Sequence, residues 1–424
     1  MDNFLSKLKL IISDRTLRRR ILFVGGGLIV FRLLATIPIP GIDTLRLEQF
    51  FSGNQFLGLL DIFSGGGLSN LSIVMIGVAP YITASIIMQL LTIMFPKLKA
   101  LYQEEGEAGR RKFSQYSRIL TIPLAVLQAV GFLLLLQKQG IMPAEGFFAL
   151  LANVAVVTAG SILLMWIGEL ITEFGIGNGI SILIFAGIVA SLPSTLGQLL
   201  FTFDPAQIPV YLGFIVVALM IVLGVVVVTE AERPIPITYA RRVRGMKVYG
   251  GVSTYLPLRV NQAGVIPIIF ALSILLFPQM VLSFLSTLGG GTALASISSF
   301  ILQALSNQFV YGALYFFLVF LFTYFYTAVT FDPNSIATNL QKNGAFIPGV
   351  RPGQTTAAYV GSILTRITLV GALFLGFIAI LPIGMQAITG LRTLAIGGTA
   401  LLIAVSVVLD LVRRVEAQIS MREY

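Results

Sequence analysis

Apolar residues fill most of this chain in long blocks that are separated by short polar segments. Blocks of about 17 to 25 residues match the length that a helix needs to cross the hydrocarbon core of a bilayer. The pattern predicts an all-α polytopic membrane protein with ten spans, near residues 21–37, 71–95, 119–136, 147–168, 180–200, 208–229, 263–285, 309–330, 363–383 and 394–411.

One apolar run is too short to be a span. Phe56 to Phe63 would extend only about 12 Å as a helix, against roughly 30 Å of bilayer hydrocarbon. The glycines Gly65, Gly66 and Gly67 follow it, and the next apolar block contains Pro80. Taken alone, the run is typical of a helix that lies in the membrane interface.

Composition supports a membrane protein and narrows its chemistry. Hydrophobic residues make up 56% of the chain and charged residues 11%, whereas an average soluble protein has about 25% charged residues. The chain contains no Cys and no His, which excludes thiol nucleophiles, imidazole bases and the commonest zinc and haem ligands. A Ser–Lys site inside the membrane is also excluded, because no Lys lies within the predicted spans. We therefore expect no enzyme, no cofactor and no metal site.

Charge predicts the orientation. All but four of the 28 Lys and Arg residues fall at the two chain ends or in every second connecting segment, the exceptions being Arg32, Arg46, Lys138 and Arg392. Because basic loops stay in the cytoplasm, both termini are predicted to be cytoplasmic. Most of these residues are explained by topology and by attraction to anionic lipids.

Two of the basic cytoplasmic segments are long. Residues 230–262 and 331–366 are each about thirty residues, far above the usual connection length, and loops of that size are mostly functional or disordered. Their Pro, Gly, Tyr and Phe content favours ordered, protruding hairpins that receive a large cytoplasmic partner. Solvated charge with no partner is the alternative interpretation.

The chain also contains an internal repeat. Gly77 to Ile82 and Gly264 to Ile269 share the pattern GVxPxI, each in the second span of a five-span half. The Ile-Pro tract at 37–40 resembles residues 233–236 in the same way. Since five is odd, the halves 1–205 and 206–424 are predicted to insert with opposite orientations, and interrupted helices at matching places indicate a pathway between them. A chance match of common membrane residues is the alternative.

The pathway is predicted to carry a large cargo. Transporters of small polar solutes usually keep ionisable groups inside the membrane, but here Arg32 is close enough to the span end to snorkel and Asp410 lies at the end of the last span. A protein-conducting channel fits this pattern. A secondary transporter of a small solute, built on inverted repeats, remains the alternative function.

Four motifs in order resemble the SecY family, whose members form the pore of the bacterial Sec translocon. They are Ser72 to Leu91, Glu105 to Lys112, Gly175 to Ser181 and Gly344 to Gly353, and the similarity covers nearly the whole chain. The resemblance implies two halves closed like a clamshell around a central pore in the inner membrane. It also implies passage of unfolded secretory chains and lateral release of transmembrane segments.

The resemblance assigns residues to the closed channel. Residues 56–70 match the plug that fills the outer funnel, with the residues Phe56, Leu57, Leu59, Leu60, Ile62, Phe63, Gly65, Gly66 and Gly67. The pore ring falls on Val78, Ile82, Ile180, Ile184, Ile269 and Ile403. Branched aliphatic side chains offer no hydrogen bonds to a passing chain and dewet a narrow constriction. Without the resemblance, such positions are typical of core or lipid-facing packing.

The resemblance also implies a lateral gate and a set of partners. Gln89 and Asn261 match the gate, although polar helix-packing contacts are an equally good interpretation. The docking loops match contacts for the motor ATPase SecA and for the ribosome, with Arg351 and a basic loop of Arg241, Arg242, Arg244 and Lys247. Further implied partners are SecE, SecG, signal peptides and nascent chains.

Overall fold

The computed structural model describes residues 14–39, 64, 66–68, 70–138, 140–143, 146–201, 205, 208–239, 242–244, 247–249, 253–288, 293–389 and 392–423. Within these ranges the helices are, in chain order, α1 (Arg15–Ala35), α2 (Ala79–Met94), α3 (Pro96–Gln103), α4 (Gly106–Lys138), α5 (Phe147–Phe174), α6 (Gly179–Phe201), α7 (Ile208–Glu230), α8 (Ile266–Leu288), α9 (Ala293–Ser306), α10 (Gln308–Thr330), α11 (Pro333–Lys342), α12 (Gln354–Thr389) and α13 (Arg392–Glu423). The strands are β1 (Glu232–Tyr239), β2 (Arg242–Arg244), β3 (Lys247–Tyr249), β4 (Ser253–Arg259) and β5 (Ala345–Phe346).

Each predicted span coincides with a helix. Five helices in the described part of the chain, namely α4, α5, α7, α10 and α12, contain stretches long and apolar enough to cross a membrane. The bent pair α2 and α3 makes a sixth candidate. The remaining four predicted spans correspond to α1, α6, α8 and α13. Several helices are longer than the predicted spans. Helix α12, for example, has 36 residues and would reach about 54 Å, well beyond the hydrocarbon core.

The second predicted span differs from a continuous helix. Residues 71–78 form turns, and α2 begins only at Ala79. Gly77 has a φ of +63°, which glycine adopts without steric cost. Pro80 lies in the first helical turn, where its missing N–H is tolerated. The chain then bends by 117° between α2 and α3. The interruption is therefore the glycine turn before the helix and not a proline kink inside it.

The second half repeats this arrangement. Gly264 has a φ of +61°, and α8 begins two residues later with Pro267 in its first turn. In the first half the Ile73 N–H donates to the carbonyl of Ile37 (3.0 Å), just after α1. In the second half the Val260 N–H donates to the carbonyl of Ala231 (2.9 Å), just after α7. The repeat predicted from GVxPxI thus extends to backbone conformation and hydrogen bonding.

The described residues of segment 230–262 include an antiparallel hairpin, as predicted. Strands β1 and β4 pair antiparallel from Glu232 opposite Arg259 to Thr238 opposite Ser253, and β5 pairs with the far end of β1. Pro234 lies opposite Pro257. Because neither proline has an N–H, this pair must occupy a position that exchanges no ladder hydrogen bonds.

The segment 331–366 is not a hairpin, contrary to the prediction. It consists of α11, the two-residue strand β5, a turn and the start of α12. The reason lies in packing, because its apolar residues are buried together with the hairpin against the first turns of α12. This cluster comprises Ile235, Leu258, Ile347, Val360, Ile363, Leu364 and Ile367. The two docking loops and α12 therefore form one packed unit.

Candidate functional site

A cavity of about 760 Å³ lies between α2, α4, α5, α6 and α8. One part of its wall is apolar and contains Ile82, Ile180, Ile184, Ile266, Ile269 and Phe270. Another part is polar and charged, with Glu107, Arg110, Arg111, Arg118, Glu169 and Glu173. The cavity, which we call the vestibule, thus has an apolar wall and a charged wall.

Four of the six residues predicted to form the pore ring line this cavity. Ile82, Ile180, Ile184 and Ile269 line the vestibule. Val78 and Ile403 lie in the same hydrophobic core, at 1% and 2% exposure. Ile180 is half-buried and packs against that core. Four of the six predicted positions, on α2, α6 and α8, therefore share one cavity wall although they are far apart in sequence, and these side chains offer no hydrogen-bonding group to water or ions.

The predicted gate residues carry polar atoms without partners. Helix α8 packs against both α2 and α4. Gln89 lines the vestibule from α2, and Asn261 is buried just before α8. Among the described residues, neither Gln89 Oε1 nor Asn261 Oδ1 has a hydrogen-bond partner. A buried acceptor without a donor costs free energy. Among the described residues, the hydrogen-bond acceptors of the α2–α8 region are therefore not all paired in this conformation.

An ion pair joins α4 and α5 along the charged wall of the vestibule. Arg118 Nε of α4 donates to Glu169 Oε1 of α5 at 2.6 Å. The Glu169 side chain is 17% exposed and that of Arg118 46%, so water screens the pair from one side only. Sequence reasoning missed this pair, because no local spacing connects residues 51 positions apart.

Only the end of the predicted plug lies in the described residues. Phe56, Leu57, Leu59, Leu60, Ile62, Phe63 and Gly65 fall outside them. Gly66 has a φ of +78°, a left-handed conformation that glycine adopts without steric cost. The Leu68 N–H donates to the buried Ser64 Oγ (2.9 Å), and the Ser72 N–H donates to Gly67 O (2.7 Å). The segment is therefore tied down where it approaches α2.

The predicted docking residues occupy two turns. Arg351 is exposed, and its carbonyl accepts from the buried Thr356 Oγ1 at 2.8 Å. Gly349 (φ +83°) and Gly353 (φ +100°) flank it in left-handed conformations, which fixes the shape of the turn. Arg244 and Lys247 are paired at the end of the β2–β3 hairpin, and Arg242 lies opposite Tyr249. Arg241 falls outside the described residues.

No set of three or more Asp or Glu side chains in the described residues is arranged to hold a metal ion. What the vestibule can do follows from its lining, an apolar wall beside a charged one. Such a site can exclude water and ions while giving a passing chain few specific contacts.

Sequence comparisons identify relatives along the whole chain. The SecY family profile matches residues 72–412. The protein translocase subunit SecY of Mycobacterium leprae is 42% identical over 443 residues, which cover 100% of this chain and 99% of the relative. That of Streptomyces scabiei is also 42% identical and covers 96% of each chain.

Structure comparison finds the same fold. A solved protein-conducting channel superposes with a TM-score of 0.66 at 18% identity, covering 96% of this chain and 94% of the other. The ten-helix clamshell architecture expected from the sequence agrees with this match.

Proposed function

The chain belongs to the SecY family, and we propose on this basis that it is the central, channel-forming subunit of a protein translocase that passes unfolded polypeptides across the membrane. The observation that carries this function is the vestibule, in which branched aliphatic residues from three helices, α2, α6 and α8, form an apolar wall beside a charged one. Such a wall suits cargo of varied sequence, because it forms no specific polar contacts.

Within this function, the pore ring acts as the seal. The ring would exclude water in the resting state and close around a polypeptide in transit. Its members are Val78, Ile82, Ile180, Ile184, Ile269 and Ile403. The halves 1–205 and 206–424 would move apart as two bodies. The repeated glycine turns before α2 and α8 support this division.

A plug at residues 56–70 would provide a second barrier on the outer side. The left-handed Gly66 and the hydrogen bonds around Ser64 and Gly67 support a hinge at its end. The plug would leave the funnel when a chain enters and return afterwards.

Lateral release would occur where α8 meets α2 and α4. The unpaired acceptors of Gln89 and Asn261 support a gate here, because a contact that is not optimised in the closed state costs less to open. Signal peptides and transmembrane segments would pass into lipid through this opening.

Partners would dock on the cytoplasmic loops. The rigid turn that exposes Arg351 and the neighbouring β2–β3 hairpin support contacts to SecA and to the ribosome, since docking without rearrangement loses less entropy. SecE and SecG would complete the complex in the bacterial plasma membrane. Both termini would lie in the cytoplasm, which the basic loops support, and these loops would contact anionic lipids.

The test is translocation by the purified complex reconstituted in vesicles. Motor-driven uptake of an unfolded secretory protein into a protease-protected space is expected. Uptake of small solutes without polypeptide transport would overturn the proposal and favour a secondary transporter.

A further inference from the structure

Two glycines on equivalent helices contact the turns that precede the pore-ring helices. A Cβ atom on Gly160 of α5 would collide with the carbonyl oxygen of Ile73. A Cβ atom on Gly371 of α12 would lie 2.7 Å from the carbonyl oxygen of Val260, also too close. Only glycine allows a neighbouring backbone to approach this far at either place.

The two contacts are equivalent in the repeat. Ile73 is four residues before Gly77, and Val260 is four residues before Gly264. Helix α5 corresponds to the fourth span of the first half and α12 to the fourth span of the second. We call these contacts the first seat (Gly160 on Ile73) and the second seat (Gly371 on Val260). Each seat supports the turn that leads into α2 or α8.

The seats differ at the next residue. Ser161 follows Gly160, is 1% exposed, and donates from Oγ to the Gly77 carbonyl at 2.7 Å. That carbonyl is joined directly to Val78 of the pore ring. The matching residue after Gly371 is Ala372, which is fully buried and has no hydroxyl to donate. The first seat therefore has a side-chain hydrogen bond that the second cannot form.

A second observation also distinguishes the second seat. Asn261 directly follows Val260, and its Cα lies 3.8 Å from the Cβ position of Gly371. Its buried Oδ1 has no partner among the described residues. The second seat thus combines close backbone packing with an unsatisfied acceptor, whereas the first combines it with a hydrogen bond.

We propose that the first seat is a fixed support that holds α2 through Ser161, and that the second seat is the one that releases when the channel opens, so that α8 moves relative to α2. This inference rests on the proposed channel function. Interhelical hydrogen bonds inside a membrane are weak, and one such bond shifts a two-state equilibrium about fivefold. Ser161 and the lack of a serine at position 372 are enough to bias which seat moves.

The experiment transfers the hydroxyl to the second seat. Ala372→Ser is expected to slow motor-driven translocation in reconstituted vesicles about fivefold. The added hydroxyl is expected to donate to the Gly264 carbonyl, which is equivalent to the Gly77 carbonyl in the repeat, and so to hold the second seat closed. Ala372→Cys is the control for side-chain volume, since a thiol is only a weak hydrogen-bond donor. Ala379→Ser is the control for position, because it places the same change at another fully buried alanine of α12. Both controls are expected to translocate at the wild-type rate.

The reciprocal change tests the first seat. Ser161→Ala is expected to raise the resting ion leak of the vesicles about fivefold, and Ser161→Thr, which keeps the hydroxyl, is expected to stay tight. This arm decides the role of the first seat even if Ala372→Ser yields no folded protein.

Several outcomes would overturn the inference. Wild-type rates in Ala372→Ser would show that the second seat does not release, and equal slowing in Ala372→Cys would assign the effect to volume. An unchanged leak in Ser161→Ala would remove the first seat as a support. Failure of the wild-type complex to translocate at all would instead contradict the proposed function.

Discussion

Arg413 of α13 forms an ion pair with Glu230 at the end of α7. The Glu230 carboxylate accepts from Arg413 Nε at 2.9 Å, its Oε1 lies 2.6 Å from a terminal guanidinium nitrogen, and that nitrogen also donates to the Thr229 carbonyl at 2.7 Å. Strand β1 begins two residues later. The last helix, which carries Ile403, is therefore joined directly to the base of the docking hairpin.

Replacing Arg413 tests this connection. Arg413→Ala is expected to destabilise the protein by about 1 kcal/mol, because it removes a cation that pairs with Glu230 and hydrogen-bonds a carbonyl at a helix C-terminus. The unfolding temperature in detergent, followed by the fluorescence of Trp166, would measure the loss. Arg413→Lys is the control and should lose less stability, since it keeps the positive charge but lacks the several N–H donors of the guanidinium group. An unchanged unfolding temperature in Arg413→Ala would show that the contact is dispensable.

Topology is the second prediction. A reporter fused after Arg351 is expected to be cytoplasmic, and one fused at Gly290, in a segment without charged residues, is expected to be external. Enzyme reporters that are active on only one side of the membrane make the measurement. Opposite locations at the two sites would contradict the ten-span arrangement.

The third prediction concerns Arg351. Arg351→Glu is expected to lower SecA-dependent translocation about tenfold, because reversal turns a docking contact into repulsion. The protein should still fold, since the side chain is exposed and the turn is held by Thr356 and two left-handed glycines. Lys342→Glu, which reverses a charge on the nearby α11, is the control. Equal rates in wild type and Arg351→Glu would show that Arg351 is only solvated.

The pore ring gives the fourth prediction. Replacing both Ile82 and Ile180 by Asn is expected to raise ion conductance several-fold, because polar side chains wet a constriction that branched aliphatics keep dry. Single-channel recording of the reconstituted complex makes the measurement, with folded yield checked in parallel. The matched control places Asn at Ile29, an exposed position of α1. Well-folded double mutants as tight as wild type would remove these residues from the seal.

The plug gives the fifth prediction. Deleting residues 57–64 is expected to cause intermittent ion leakage while the pore ring remains, and combining the deletion with the Ile82 and Ile180 changes should leak more than either alone. Vesicle ion flux at zero motor concentration would measure this. A deletion that leaves the resting channel tight would instead make residues 56–63 an interfacial helix.

Much of the fold could be predicted because bilayer thickness sets the length of an apolar helix. All ten predicted spans correspond to helices, and the glycine turns before α2 and α8 follow the predicted repeat. The short helices α9 and α11 were not predicted, because they have 14 and 10 residues and the prediction was based on apolar runs long enough to cross a bilayer. The segment 331–366 was assigned wrongly because its shape depends on packing against α12.

The site was predictable in its parts but not in its connections. The resemblance supplied the predicted ring positions, and the structure places Ile82 in α2 and Val78 in the turn just before it. The contacts of Arg118 with Glu169 and of Gly160 with Ile73 link distant segments and leave no local pattern. A single sequence shows which residue types are present, whereas only the packing shows which of them meet.

The opposed prolines of the cytoplasmic hairpin limit how a partner can bind it. With Pro234 and Pro257 facing each other without ladder bonds, their ring nitrogens point away from the β1–β4 seam, one towards each long border of the hairpin. On the β1 border, β5 already pairs with Thr238 and Tyr239, beyond the prolines. Along the rest of that border, and on the β4 border, the prolines interrupt the row of donors that an incoming strand needs, so strand addition by a partner or by a second copy of the hairpin is disfavoured there.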